Sequence, residues 1–391
     1  MFSLLLAIIY LAFISLGLPD SLLGSAWPVM FHELNVPISY AGIISMIISG
    51  GTIISSLFSD KITRKLGTGL VTAISVLLTA SALFGFSISS SFIALCIFAI
   101  PYGLGAGAID AALNNYVALH YSSRHMSWLH CFWGVGASIS PYIMSYAIQS
   151  GHGWNNGYRM VSAIQIFLTA ILFLSLPLWK KKGVVSPEDE NYEAPLKLRE
   201  ALKIKGVIPI LLAFFSYCAF ESTAGLWIST YLVEHRNWDS QKAAAFASLF
   251  YLGITLGRFI NGFIADKLGD KTMIRIGTAI MFTGVLFIAF PTEISIIPLI
   301  GLTIAGLGAA PVYPSIIHST PANFGKENSH AIIGIQMASA YVGSTFMPPI
   351  FGFIAEHINV AIYPFYLVFF VVLLLVMSER LNRIVAKKKL S

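Results

Sequence analysis

The sequence predicts an all-α integral membrane protein with twelve transmembrane helices in two pseudo-symmetric six-helix bundles. Three observations predict this: a composition too apolar for water, twelve separate apolar blocks, and landmarks that recur after the middle of the chain. Of the 391 residues, 56% are hydrophobic and only 11% charged, with a mean hydropathy of +0.77, whereas a soluble domain has about a quarter of its residues charged. The apolar residues come in runs, and about 20 of them in a helix cross roughly 30 Å of hydrocarbon.

The blocks run over 3–32, 40–58, 68–88, 92–119, 126–149, 157–179, 207–233, 241–264, 272–291, 294–318, 329–354 and 361–379. They are continuous, unlike the alternating ten-residue strands of a membrane barrel, and helices satisfy their own backbone groups, as lipid demands. The first block lacks a positive n-region and exceeds the 7–15 residues of a signal-peptide core, so it reads as a transmembrane helix. Cys96, Cys131 and Cys218 fall inside apolar blocks without metal-ligand spacing and read as small buried hydrophobes.

A net charge of +6 raises the question of a nucleic-acid partner. Its distribution answers against one: by helix count, 20 of the 24 Lys and Arg fall on one side, the exceptions being Arg159, Arg236, Lys242 and Arg258. That bias follows the positive-inside rule and predicts a cell-membrane protein with both termini cytoplasmic.

The one long polar interval, 180–206, contains SPEDENYEAP and resists packing. It divides the chain into an N-terminal bundle over 1–179 and a C-terminal bundle with a short basic tail over 207–391. Within the linker, PLKLREALKIK (195–205) has the pattern of a helix lying on an anionic leaflet or of a solvated tether. Landmarks repeat across it. Asp20-x3-Gly24 answers to Glu221-x3-Gly225, Gly103-Leu-Gly105-Ala to Gly306-Leu-Gly308-Ala, Asp60-Lys61 to Asp266-Lys267 and Gly136-x4-Pro141 to Gly343-x4-Pro348, at offsets of 201, 203, 206 and 207. Four pairs in order indicate a duplicated six-helix unit.

The loop SLFSDKITRK (56–65) resembles the G-x-x-x-D-x-x-G-R-K signature of major facilitators: Asp60, Arg64 and Lys65 match, while Ser56 and Thr63 replace glycine. GFIADKLGDK (262–271) keeps Gly262, Asp266, Gly269 and Lys271, with Asp270 in place of the arginine. An acid at a helix end can meet backbone N–H groups or a basic partner across the seam in one conformation only, so Asp60, Arg64, Lys65, Asp266 and Lys271 are gating candidates. Arg258, eight residues before Asp266, reads as a gate or relay near the inner helix end.

Charge within hydrocarbon costs several kcal/mol, so each case is a functional candidate. Asp20, beside Pro19, shares a helical face with Gly24 and Trp27; Pro19 removes a backbone hydrogen bond and leaves a carbonyl free for a cavity. Asp110 shares a face with Gly103, Gly107 and Asn114, with Asn115 alongside. A carboxyl group in low dielectric suits reversible protonation near neutral pH, which makes Asp20 and Asp110 the proton-coupling candidates. His130 and Trp133 are adjacent on their helix. Glu221, and Gln336 on the face of Gly343, complete the set.

The runs AIDAALNNYVALHYSS (108–123), WLHCFWGVGA (128–137) and LPDSLLGSAWP (18–28) resemble the fucose and glucose/mannose proton symporters. The resemblance implies proton coupling and sugar recognition at Asp20 and Asp110, with Asn114 in the family's Asn position and His130 and Trp133 where the fucose proteins have Gln and Asn. YCAFESTAGLWISTY (217–231) is similar to the seventh helix of the broader group. The predicted function is a proton-coupled symporter of a small hydrophilic solute, such as a monosaccharide, held by Trp27, Asn114, Asn115, His130, Trp133, Glu221 and Gln336. The competing expectation is a proton-driven exporter of drugs or other amphipathic compounds, and a receptor on the same fold is a further one. No metal cluster, phosphate loop, Gly-x-Ser-x-Gly element or nucleophile–base pair is present in the sequence, so no enzyme and no cofactor beyond the coupling proton is expected. The expected partners are the solute and membrane lipid, with the chain acting as a monomer.

Overall fold

Helices α1 (Leu4–Asp20) and α2 (Leu22–Glu33) form a single span interrupted at Ser21, followed by α3 (Tyr40–Leu66), α4 (Thr68–Ile88), α5 (Phe92–His120), α6 (Ser123–Gln149) and α7 (Gly153–Leu174). The short α8 (Leu176–Trp179) and α9 (Leu198–Ala201) lead to the second six: α10 (Val207–Glu234), α11 (Ser240–Leu268), α12 (Asp270–Ala289), α13 (Ile296–Ala309) continued by α14 (Val312–His318), α15 (Thr320–Phe324), α16 (Lys326–His357) and α17 (Tyr363–Leu390). This computed structural model describes residues 4–121, 123–179, 198–292, 294 and 296–390, without the side chains of 60, 61, 64, 115, 118–120, 123, 124, 126, 127, 198, 199, 266, 326, 327, 329–331 and 388–390. Among the described residues there is no strand.

Among the described residues, ten spans are long and apolar enough to cross a bilayer. The remaining two of the expected twelve, α6 and α16, are 27 and 32 residues long but carry His130, Ser138 and Ser140, or Gln336, Ser339, Ser344 and Thr345, along their length. Twelve crossings bring both chain ends to one face, here the terminal face. The opposite loop face carries the turns at 34–39, 150–152, 235–239 and 358–359.

The duplication is geometric as well as sequential. A Cβ on Gly103 would lie 2.1 Å from the Ile48 carbonyl oxygen, and one on Gly306 would lie 2.0 Å from that of Phe250. Likewise Gly136 abuts the Ile14 carbonyl at 2.2 Å and Gly343 the Phe215 carbonyl at 2.5 Å. Glycine is thus needed at the same two crossings of each bundle, α3–α5 and α1–α6 in the first, α11–α13 and α10–α16 in the second. One sequence pairing shifts: the glycines that end α3 and α11, Gly67 and Gly269, are 202 apart, while Asp60 and Asp266 are 206 apart. Asp60 therefore sits about one turn deeper in its helix than Asp266 does.

Prolines break the first bundle at defined places, and neighbouring side chains take the carbonyls they release. Pro19 frees the Ser15 carbonyl, which accepts from Gln165 Nε2 at 2.5 Å, while Ser15 Oγ donates to Gln165 Oε1 at 2.5 Å. The expectation that this carbonyl faces a cavity is corrected: both residues are buried. Pro141 frees the Ala137 carbonyl, which Ser21 Oγ meets at 2.8 Å. In the linker, the amphipathic reading of 195–205 reduces to the single turn of α9, with Ala201 buried; residues 180–197 lie outside the described set.

Candidate functional site

The break between α1 and α2 leaves Asp20 at mid-span, solvent-accessible although about 20 Å of helix separate it from either face. Its Oδ2 accepts from Trp133 Nε1 at 2.8 Å and its Oδ1 from the Tyr102 hydroxyl at 3.2 Å. A carboxylate with two directed donors is fixed in orientation, yet it keeps lone pairs for a proton or a solute.

Trp133 links that acid to the second bundle. The Arg258 guanidinium stands over its ring, 5.1 Å from the centroid, and Tyr251 meets it edge-on at 6.3 Å. Arg258 Nη2 donates to Glu221 Oε1 at 3.4 Å, the two side chains being 13% and 19% exposed. Tyr217 lies beside the pair, with its buried hydroxyl within reach of both Glu221 and Arg258. Asp20, Trp133, Arg258 and Glu221 thus form one chain of contacts across the seam. Arg258, read from the sequence as a gate or relay near the inner helix end, lies at the depth of Trp133 and Glu221.

Asp110 forms a second polar point. Its Oδ1 accepts from Asn114 Nδ2 at 2.9 Å, one helical turn away. Tyr313 of α14 and Tyr341 of α16 are within electrostatic reach from the other bundle. His130 is half-buried, with its ring edge-on to Phe13 at 5.7 Å.

Two expected solute contacts are turned elsewhere. Trp27 is fully buried and spends its indole N–H on the Ile38 carbonyl at 2.8 Å, pinning α2 to the turn before α3. Gln336 is also fully buried; its Oε1 accepts from Thr320 at 3.1 Å and its Nε2 has no partner among the described residues. Sharing a face with Asp20 or Gly343 does not place a residue in the cavity, because each helix has neighbours on both sides. Lys65 and Lys271 are exposed at the terminal face. The side chains of Asn115, Asp60, Arg64 and Asp266 lie outside the described residues. Sequence reasoning missed Tyr102, Tyr251 and Tyr217. Tyr217 was within reach, four residues before Glu221 and so on its face; Tyr102 and Tyr251 carry no such local signal.

The loop-face halves of the bundles are packed together. A Cβ on Gly24 would lie 2.6 Å from the Gly225 carbonyl oxygen and one on Gly42 2.5 Å from Pro349 Cα, while at mid-span one on Gly134 would lie 2.1 Å from Thr255 Oγ1. Ser145 Oγ donates to the Gln241 carbonyl at 2.8 Å and His32 meets Glu234 at 3.2 Å.

A sequence profile of the Major Facilitator Superfamily matches residues 9–335 and 210–385. Bypass of stop codon protein 6 of Saccharomyces cerevisiae is 23% identical over 65% of the chain, which spans 56% of that protein, just over half its length. Glucose/mannose transporter GlcP of Bacillus subtilis is 22% identical over 78% of the chain and 77% of its own length. The crystal structure of nucleoside transporter NupG, solved as a mutant, superposes with a TM-score of 0.79 at 14% identity, over 98% of the chain and 100% of that structure.

Proposed function

The chain belongs to the Major Facilitator Superfamily, and on that premise we propose that it is a proton-coupled symporter of a small hydrophilic solute of monosaccharide size, working by alternating access. The observation that carries the reading is Asp20, an accessible acid at mid-membrane, held by Trp133 and Tyr102 and joined through Trp133 to the opposite bundle. A proton on Asp20 removes the charge that Trp133 and Tyr102 address. The bond from Trp133 then weakens to a neutral one, roughly half as strong, and the ring is freer to move against Arg258. Protonation at one bundle is thereby felt at the other, which is what coupling needs. Asp110 with Asn114 offers a second protonatable point nearer the terminal face.

The donors and acceptors around Asp20, with the aromatic walls of Trp133 and Tyr251, suit a hydroxyl-rich ring. The glucose/mannose transporter among the relatives supports that class. With the loop face closed and Asp20 accessible, the arrangement reads as open to the terminal face. The positive-inside bias makes that face cytoplasmic, and Lys65 and Lys271 stand there as candidate gating residues, with Asp60, Arg64 and Asp266 at the same helix ends.

The test is uptake of radiolabelled monosaccharides into proteoliposomes under an imposed proton gradient. Accumulation abolished by an uncoupler supports symport. Drug efflux driven by the gradient, without sugar counterflow, would replace the reading with an exporter.

A further inference from the structure

The geometry points to a carboxylate on the solute, with Arg258 as the residue that recognises it; we propose a small polyhydroxy acid of hexuronate size. This rests on the reading of the chain as a solute carrier and names what that same site takes.

A guanidinium has five N–H donors in a planar fork. Arg258 donates to a single oxygen of Glu221 at 3.4 Å, beyond the usual 2.7–3.2 Å range and without the two parallel bonds that a fork makes to a well-placed carboxylate, with the Tyr217 hydroxyl also within its reach. The side chain is 13% exposed, so water fills little of the deficit, and buried donors are normally satisfied. The neighbouring Tyr217 hydroxyl is buried and stands within reach of both Glu221 and Arg258. A buried guanidinium with a long bond to one carboxylate oxygen and a buried tyrosine hydroxyl thus converge at one point.

Their chemistry selects the missing group. Trp133 lies under the guanidinium, a placement that occupies the ring face while the N–H edge stays available. A neutral sugar stacking on that face of Trp133 would have to displace Arg258. A carboxylate needs no displacement: it fits the free edge bidentately and accepts from Tyr217, leaving the hydroxyl-bearing part of the solute toward Asp20 and Tyr102.

Charge counting ties this to the proton. Glu221 and an incoming carboxylate place two negative charges around one guanidinium, a net charge of −1. A proton taken up by either acid of the Asp20–Glu221 cluster offsets the excess. Anion and proton then favour each other's binding, a reciprocal coupling of the kind symport requires.

The full-length chain, reconstituted in liposomes with a pH-sensitive dye, is tested with D-glucuronate, its methyl ester and D-glucose, alongside thermal-shift titrations of each. D-glucuronate is expected to bind about tenfold or more tightly than D-glucose, as when a buried polar group is matched or left unpaired, with the methyl ester near glucose. R258Q and R258K should collapse that ratio, R258K because it keeps the charge but loses the fork. E221Q should tighten glucuronate binding by removing the competing carboxylate, an outcome that structural damage would not mimic. Glucose binding as tight as glucuronate, or E221Q weakening glucuronate, would overturn the proposal. Proton uptake driven by glucose alone overturns it while leaving proton symport standing. No proton-linked uptake with any of the three overturns both.

Discussion

Replacing Gly24 by alanine is expected to drive the protein out of the loop-closed arrangement. A Cβ there would lie 2.6 Å from the Gly225 carbonyl oxygen and 2.9 Å from that of Leu226. Both are backbone atoms of α10, so no rotamer change relieves the clash. A carbon and an oxygen in ordinary contact stand about 3.3 Å apart, so α2 and α10 must separate by roughly 0.7 Å. Overpacking of this size costs about 1–3 kcal/mol. The cost applies only where α2 and α10 touch, whereas the higher helix propensity of alanine acts in every conformation and cancels. The conformational equilibrium then moves away from the closed loop face by about 5–150-fold. Cys131 reports it, since its Sγ lies 3.9 Å from the Thr255 carbonyl in the α6–α11 seam, and in a C96S/C218S background it is the remaining one of three cysteines. Labelling by a membrane-impermeant maleimide added on the loop side should accelerate by that factor in G24A. The control is G50A, whose added Cβ meets nothing within 4 Å. If G24A labels no faster than G50A, the loop-face packing is not a gate and the reasoning fails.

D20N keeps an acceptor for Trp133 but carries no exchangeable proton, so uncoupler-sensitive accumulation should vanish while solute counterflow persists in the same liposomes. W27F deletes the donor to the Ile38 carbonyl and leaves that oxygen unpaired at a partly buried position. A loss of about 1–3 kcal/mol follows, read as a lower melting temperature with solute affinity unchanged. Q336M removes a buried amide nitrogen that has no partner among the described residues, while Thr320 keeps its bond to the Ile316 carbonyl. Stability should change by less than about 1 kcal/mol or rise, and a marked loss of solute affinity would return Gln336 to the binding site.

The fold was legible because its causes are local and repeated. Long apolar runs need lipid, and the glycines at 103, 136, 306 and 343 mark crossings whose spacing the chain repeats. The acids were legible for a similar reason, since Asp20, Asp110 and Glu221 stand out against hydrocarbon. What lay beyond the sequence were the directions in which side chains turn. Trp27 and Trp133 are both tryptophans at helical positions within reach of an acid by sequence; one pins a turn and the other lines the site, and only the packing of α2 against α3 and of α6 against α11 separates them. Counting residues from Arg258 to Asp266 measures depth along α11 but gives no weight to Trp133 and Glu221 facing it at that depth. The tyrosines of the site come from α5, α10 and α11, and their convergence is a product of tertiary structure.

The placement of Trp133 next to Gly134 gives the site its mechanical sense. Gly134 packs against Thr255 of α11, and Trp133 meets Arg258, about one turn further along α11. A contact beside a close approach of two rocking bodies changes direction more than distance, so Trp133 stays near Arg258 while its angle to the ring changes. Asp20 rides on the first bundle and Glu221 on the second, farther from that approach, and the separation between them must change more. On the alternating-access reading proposed above, Arg258 would pass between Glu221 and the face of Trp133 without being stranded, which would keep a buried charge compensated. A solute carboxylate bound at the guanidinium edge would share that property. It could be carried through the transition without first being released, which is the condition that separates a carrier from a binding protein.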